Sequence, residues 1–222
     1  MSAPLLVLAS NSPRRRELLA LGGWMFHLSP ADVDESQHPG EAPGVYVLRL
    51  AESKARACVA STHSALTIIA ADTTVALEGD IFGKPENIAE AERMLRHLRG
   101  RTHQVHTAIA ILRVTDGRLV TDLCTSAVPM RTYADQEIEA YLATGDSLDK
   151  AGAYAIQHTE FHPVENFTGC FASVMGLPLC HLMRGLRQLG IVPKTNLPAA
   201  CQSYLQYACP ISAAVLRGEN VG

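Results

Sequence analysis

Apolar residues in this chain form short unbroken runs between stretches at helical spacing, the pattern of strands alternating with amphipathic helices. Leu5-Leu6-Val7-Leu8 reads as a buried strand. Ser12 is placed to cap a helix and Pro13 suits its first position. Glu17-Leu18-Leu19-Ala20-Leu21 continues that helix until Gly22-Gly23 stops it. Trp24–Leu28 reads as a second short strand, followed by a polar loop from Ser29 to Gly44 that holds Asp32, Asp34 and Glu35. From Val45 to Ala60, Val47, Leu48, Ala51, Ala55 and Val59 share one helical face. Leu66 to Leu77 is the clearest buried strand, turned at Gly79-Asp80 into Ile81-Phe82-Gly83-Lys84-Pro85.

Asn87 is expected to cap a helix that runs to Leu98 and closes at Gly100. Thr102–Val114 and Arg118–Met130 predict an antiparallel hairpin across the Asp116-Gly117 turn. Asp135 is expected to cap Gln136 to Thr144, Asp146 to Gln157 to be a loop leading into a short strand, and Leu177 to Leu189 to be the last helix. Past Pro193 the periodicity fades. Residues 1–192 are therefore expected as one unit, with 193–222 a loosely packed C-terminal appendage whose removal spares activity.

At 222 residues and 47% hydrophobic composition the chain can bury a full core, which favours one α/β domain, whether whole or split into two lobes. Net charge is −3, and the 19 Lys and Arg are dispersed except at Arg14-Arg15-Arg16, which argues against polymeric nucleic acid and for a small phosphorylated partner. No apolar stretch is long enough to span a bilayer and no basic leader precedes one, so no membrane partner and a cytoplasmic location are expected. The six cysteines form no Cys-x-x-Cys pair and read as reduced, mostly core thiols; only Cys201 and Cys209 invite pairing in an oxidising setting.

Candidate chemistry begins at Ala9-Ser10-Asn11-Ser12-Pro13-Arg14-Arg15-Arg16. Cations in the first turn of a helix oppose its dipole unless a strong anion sits there. Free N–H groups, Ser10 and the guanidinium forks of Arg14 and Arg15 describe a phosphate cradle; a solvated basic turn is the competing reading. Asp72 interrupts an apolar strand, so it lies near the strand end or meets a cation. Asp34 and Glu35 matter only if the fold brings them to Asp72, where clustered oxygens suit Mg²⁺ or Mn²⁺. Lys84 is framed by Gly83 and Pro85, whereas Lys54 alone reads as a surface lysine. Gln157, closing Ala153-Tyr154-Ala155-Ile156, can read a base edge or serve as a buried structural amide. P-loop, dinucleotide-binding, nucleophile-elbow and His-Glu-x-x-His motifs are absent, and His103 and His106 fall on opposite faces of a strand.

Taken together, these segments resemble the Maf family of nucleoside triphosphate pyrophosphatases. The resemblance rests on Ala9–Arg15, Lys54-Ala55-Arg56-Ala57, Ala70-Ala71-Asp72-Thr73, Gly83-Lys84-Pro85, Leu98–His103, Leu148–Gln157 and Val174–Leu179, in family order. It implies a mixed α/β fold with an elongated central sheet and flanking helices, in two lobes around a cleft, related to the inosine triphosphate pyrophosphatases. It also implies a homodimer, a divalent cation, and cleavage of a nucleotide between its α and β phosphates. By motif, Asp72 is implied as proton acceptor, Ser10, Arg14, Arg15, Lys54 and Lys84 as substrate contacts, and Glu35 with Asp72 as the metal site. Arg14, Thr73 and Gln157 match the branch acting on dTTP and UTP. His158 after Gln157 and Ala155 depart from the usual glycines, as does the stretch to Phe171, so the specificity loop differs. A non-catalytic nucleotide-binding regulator of cell division and a pyrophosphatase for modified purines such as 7-methyl-GTP are the rival functions.

Overall fold

The apolar runs Leu5–Leu8 and Leu66–Leu77 both become strands of one sheet. The computed structural model describes residues 5–59 and 66–222. In it β1 (Leu5–Leu8), β2 (Phe26–Leu28), β3 (Leu66–Leu77), β4 (Asp80–Phe82), β5 (Thr102–Arg113) and β6 (Arg118–Pro129) form one sheet in the order β2-β1-β3-β5-β6, with β4 beside β3. β1 runs parallel to β2 and β3, while β3–β4, β3–β5 and β5–β6 are antiparallel, so the sheet is mixed.

Helices cover it at both ends. On one face, α2 (Pro43–Cys58) packs Val47, Ala51, Ala55 and Cys58 on Ile68, Ala70, Ala108 and Ala110. On the other, α1 (Pro13–Ala20) and α6 (Leu179–Gln188) close over Ile69, Ala71, Ile109 and Ile111. The far halves of β3, β5 and β6 carry a separate core with α3 (Ile88–Leu98) and α4 (Asp135–Ala143), built on Val75, Val105, Leu95, Tyr133 and Tyr141.

The strand lengths leave a gap between these cores. β1 accompanies β3 only to Ile69, where the Ala9 N–H still donates to the Ile69 carbonyl at 2.8 Å. β4 joins at Val75. Among the described residues, Ala70 to Thr74 therefore have β5 on one side and no strand on the other. Asp72 and Thr73 lie in that opening, their side chains on opposite faces as strand periodicity requires.

Several expected boundaries move. α2 begins at Pro43, which suits a first turn, and the expected end at Ala60 lies outside the described residues. Ala134, not Asp135, precedes α4: the Asp135 carboxylate instead takes Arg96 and Arg99 at 2.7 and 2.6 Å, and Glu137 accepts the Ala134 N–H. The loop from Asp146 to Gln157 holds a 3-10 turn, Ala151–Ala153, and it leads into no strand among the described residues, only into an isolated bridge from Val164 to Met130. Gly152 at φ 70° breaks any extended run there, and its N–H donates to the Gly83 carbonyl.

The segment past Pro193 is not loose. After α5 (Phe171–Val174) and α6 come α7 (Leu197–Leu205) and α8 (Ser212–Leu216), so the expected last helix is not the last. Leu197, Cys201 and Val215 are buried, the Lys194 N–H donates to the Gly22 carbonyl at 2.9 Å, and Arg184 donates to the Val215 and Glu219 carbonyls. Leu197, Cys201 and Leu205 stand four residues apart, a helical stripe that the surrounding polar composition hides. All six cysteines are free thiols, and Cys58, Cys124, Cys170, Cys180 and Cys201 are buried.

Candidate active site

The loop from β1 to α1 is wound tightly enough to present its backbone. The Ser12 N–H donates to Ser10 Oγ at 3.2 Å, and Ser12 Oγ accepts the Arg15 N–H at 3.4 Å as the helix cap. This loop and the opening in β3 border a cleft of about 650 Å³. The structure brings all nine sequence-predicted residues to it: Ser10, Arg14, Arg15, Glu35, Lys54, Asp72, Thr73, Lys84 and Gln157.

Lys54 joins the cleft's carboxylates. It lies on the inner face of α2, buried, with Nζ 2.5 Å from Asp72 Oδ1 and 2.6 Å from Glu35 Oε1. The surface-lysine reading of Lys54 is thereby corrected: α2 turns it onto β3, where the buried Asp72 needs a cation. Asp72 is only 6% exposed, and burial pushes its pKa up, against the opposing pull of Lys54 and Arg15. Tyr46 Oη donates to the Glu35 carbonyl at 2.8 Å and steadies the acid's loop. Asp34 does not reach the group; its carboxylate accepts the Ser36 N–H at 2.9 Å.

Arg15 uses its fork within the protein. Nε donates to the Gly176 carbonyl at 2.9 Å, Nη1 to Ser10 Oγ at 3.3 Å and Nη2 to Thr73 Oγ1 at 3.2 Å. Gly176 sits at φ 111°, and a Cβ there would stand 3.3 Å from Arg15 Nε, so glycine lets the two chains approach. Thr107 Oγ1 is 3.0 Å from Thr73 Oγ1 and 2.8 Å from the Ser173 carbonyl. A carbonyl can only accept, so the Thr107 proton goes to Ser173 and its oxygen is left to receive Thr73. The chain Arg15–Thr73–Thr107–Ser173 runs from the anion loop to α5.

Arg14, Lys84 and Gln157 are held by no side-chain hydrogen bond or ion pair among the described residues, and Gln157 is exposed. Residues that sequence reasoning left without a site role also line the cleft. Lys150 is buried, with Nζ on the Asp146 carbonyl at 2.5 Å, Asp146 Oδ1 at 2.7 Å and Asp149 Oδ1 at 2.6 Å. Its acidic neighbours in Asp146–Asp149 were the available signal. Thr107, a polar break in the apolar run of β5, was the signal for the network behind Thr73. His103 and His106 part as their spacing requires, His103 to Tyr154 Oη at 2.8 Å and His106 to Thr125 Oγ1 at 3.0 Å.

A mixed sheet opened between two cores, with free cationic groups facing a buried carboxylate, defines an α/β protein built to receive a small anion. The family model described as Maf, Maf-like protein, matches residues 5–189, and the chain belongs to that family. It is 43% identical to a dTTP/UTP pyrophosphatase of Geotalea uraniireducens over 84% of this chain and 96% of the relative. Identity is 46% to the protein of that name from Geobacter sulfurreducens, over 83% and 96%, and 45% to that from Anaeromyxobacter dehalogenans, over 85% and 95%. The solved structure of the Staphylococcus aureus Ham1 protein overlaps 58% of this chain and 72% of that one, at 18% identity and a TM-score of 0.43.

Proposed function

We propose that this chain hydrolyses nucleoside triphosphates, dTTP and UTP foremost, to the nucleoside monophosphate and pyrophosphate. The observation that carries the reading is the Glu35–Lys54–Asp72 cluster in the opening of β3, facing the free cations Arg14 and Lys84. The name dTTP/UTP pyrophosphatase, carried by the curated relatives, supports the choice of substrate.

In this mechanism Asp72 accepts the proton of the attacking water. The water oxygen bonds to the α-phosphorus as the bridging bond to the β-phosphate breaks, and pyrophosphate leaves with the electron pair. Arg14, Lys54 and Lys84 neutralise the charge that gathers on the leaving group, while Ser10, Arg15 and the N–H groups opening α1 shape the cradle. Glu35 and Asp72 already converge on one cation, the Lys54 ammonium, and their hard oxygens suit Mg²⁺ or Mn²⁺. Those two carboxylates would hold such an ion, and its chemistry when bound is to polarise phosphate oxygens and water. A carboxylate engaged by a divalent cation is a weaker base, so the two duties of Asp72 compete.

Incubation of the protein with a panel of nucleotides and Mg²⁺, with pyrophosphate and orthophosphate measured separately, tests the reading. Pyrophosphate with monophosphate is the expected product pair. Binding without turnover would instead make the protein a nucleotide-sensing regulator of division, and 7-methyl-GTP as best substrate would move it to modified purines.

Residues 1–192 are the proposed catalytic unit, in line with the family match over 5–189. A homodimer in the cytoplasm is part of the same proposal, suggested by family resemblance and checked by sedimentation velocity and fractionation. No helix among the described residues is long and apolar enough to cross a membrane.

A further inference from the structure

Residues beyond the family match fold back toward the cleft. Asn196 caps α7 by accepting the Ala199 N–H at 3.3 Å, and Leu197 and Cys201 bury its inner side. The helix ends at Gln206 in the left-handed conformation, φ 49°, with the Gln206 amide donating to the Ser203 carbonyl at 2.6 Å. That turn throws Tyr207 over the segment 167–171. Its hydroxyl is shared between the Phe167 and Gly169 carbonyls at 3.2 and 3.0 Å, and its ring lies 5.7 Å from Phe167 and 5.4 Å from Phe171. Burial pushes the phenol up to about 12, which keeps it a donor.

The segment under Tyr207 leads directly into the site. The Ser173 N–H donates to Cys170, Leu177 to Ala172 and Gly176 to Ser173, which ties 170–177 into one hydrogen-bonded unit. Two of its carbonyls reach the cleft residues, one directly and one through a buried hydroxyl: Gly176 receives Arg15 Nε, and Ser173 receives the Thr107 hydroxyl that stands 3.0 Å behind Thr73 Oγ1. The segment under Tyr207 is thus continuous with the carbonyls that hold Thr107 and Arg15.

We propose that Tyr207 is a positioning residue for the nucleotide cleft, acting through α5 on the carbonyls that orient Thr73 and Arg15; this rests on reading the cleft as the nucleotide site. The C-terminal segment is then a brace for substrate binding, where the sequence alone suggested a dispensable appendage.

Tyr207→Phe keeps the ring packing and removes the two hydroxyl contacts. Tyr204→Phe is the control, because Tyr204 lies three residues earlier, on α7, and among the described residues its hydroxyl meets Glu17 alone, at 2.8 Å. In the nucleotide-free protein, hydrogen exchange at amides 173–177 should quicken several-fold in Tyr207→Phe and stay unchanged in Tyr204→Phe. KM for dTTP should rise about three- to tenfold, the scale of one lost hydrogen bond, with kcat within about twofold. Unchanged exchange or unchanged KM in Tyr207→Phe, or the same response in Tyr204→Phe, overturns the inference. Should the wild-type protein hydrolyse no nucleotide, the pyrophosphatase reading fails by itself, and the exchange measurement still decides the role of Tyr207.

Discussion

Lys54 and Asp72 come from different elements, α2 and β3, yet Nζ and Oδ1 meet at 2.5 Å where β3 is paired with β5 on one side only. The contact offsets the burial of a carboxylate inside an apolar strand, and it also defines a cation position. Glu35 reaches the same ammonium from its loop at 2.6 Å. In the proposed reaction a triphosphate would meet a cation already held between two acids, with Arg14 and Lys84 unpaired among the described residues.

Asp72→Asn should lower kcat by about a thousandfold, the scale of a lost general base, while nucleotide affinity changes little. The fold should survive, because Lys54 keeps its pair with Glu35 and the buried site loses a charge. Pyrophosphate release and equilibrium nucleotide titration on the same variant separate the two effects. Wild-type turnover in it would remove Asp72 from the mechanism.

Lys54→Met should move the acid limb of kcat/KM to higher pH. Burial raises the Asp72 carboxyl and Lys54 is the largest opposing influence, so its loss raises that group further. The base works deprotonated, hence activity falls as pH drops through the Asp72 pKa, and it falls earlier in the variant. A limb that stays in place or moves down would show that another group controls it.

The strands, the anion loop and the cleft residues were legible because each rests on local pattern: unbroken apolar runs, Ser12-Pro13 at a helix start, Asp72 inside β3. Pairing was less accessible. That Lys54 faces inward follows from how α2 packs on β3, a tertiary fact that its Glu52-Ser53-Lys54 neighbours do not reveal. Arg15 looks like a second phosphate ligand beside Arg14, yet Gly176, distant in the chain, takes its Nε. The tail was less legible because α7 buries few side chains, Leu197 and Cys201, and hydrogen bonds of the residues flanking it, Thr195 and Tyr207, tie the segment down.

Arg14→Ala should weaken triphosphate binding about tenfold or more, the scale of a lost charge-assisted contact, and monophosphate binding less. Arg14 has no partner to release among the described residues, so the loss reports on ligand alone. Calorimetry with dTTP and dTMP reads the difference. Equal losses would show that Arg14 does not contact the phosphate chain.

His103 should make the protein less stable in mild acid. Burial lowers its pKa to about 4, whereas an unfolded histidine titrates near 6.5. Below about 6.5 the unfolded chain takes up a proton that the folded ring refuses. Stability is therefore lost as pH falls from about 6.5 to about 4, by up to about 3 kcal/mol. His103→Gln, which keeps a polar partner for Tyr154, should flatten this fall in urea midpoints measured across that range. An unchanged slope would assign the loss to other groups, His106 among them, whose pKa burial also lowers.

A Gln amide offers one donor and one acceptor, which complement a carbonyl and the N3–H of thymine or uracil. Cytosine reverses that pair, so it demands the opposite amide orientation. Gln157 is exposed and no hydrogen bond fixes its amide among the described residues, which lets the group turn. Preference for dTTP and UTP over CTP should then sit near tenfold, the lower end of what a mismatched hydrogen bond gives. Gln157→Ala should compress that ratio toward unity while leaving pyrophosphate as the product. A competition assay with dTTP, UTP, CTP and GTP at equal concentration measures both. If GTP is consumed first, the pyrimidine assignment falls and the pyrophosphatase chemistry at Asp72 stands untouched.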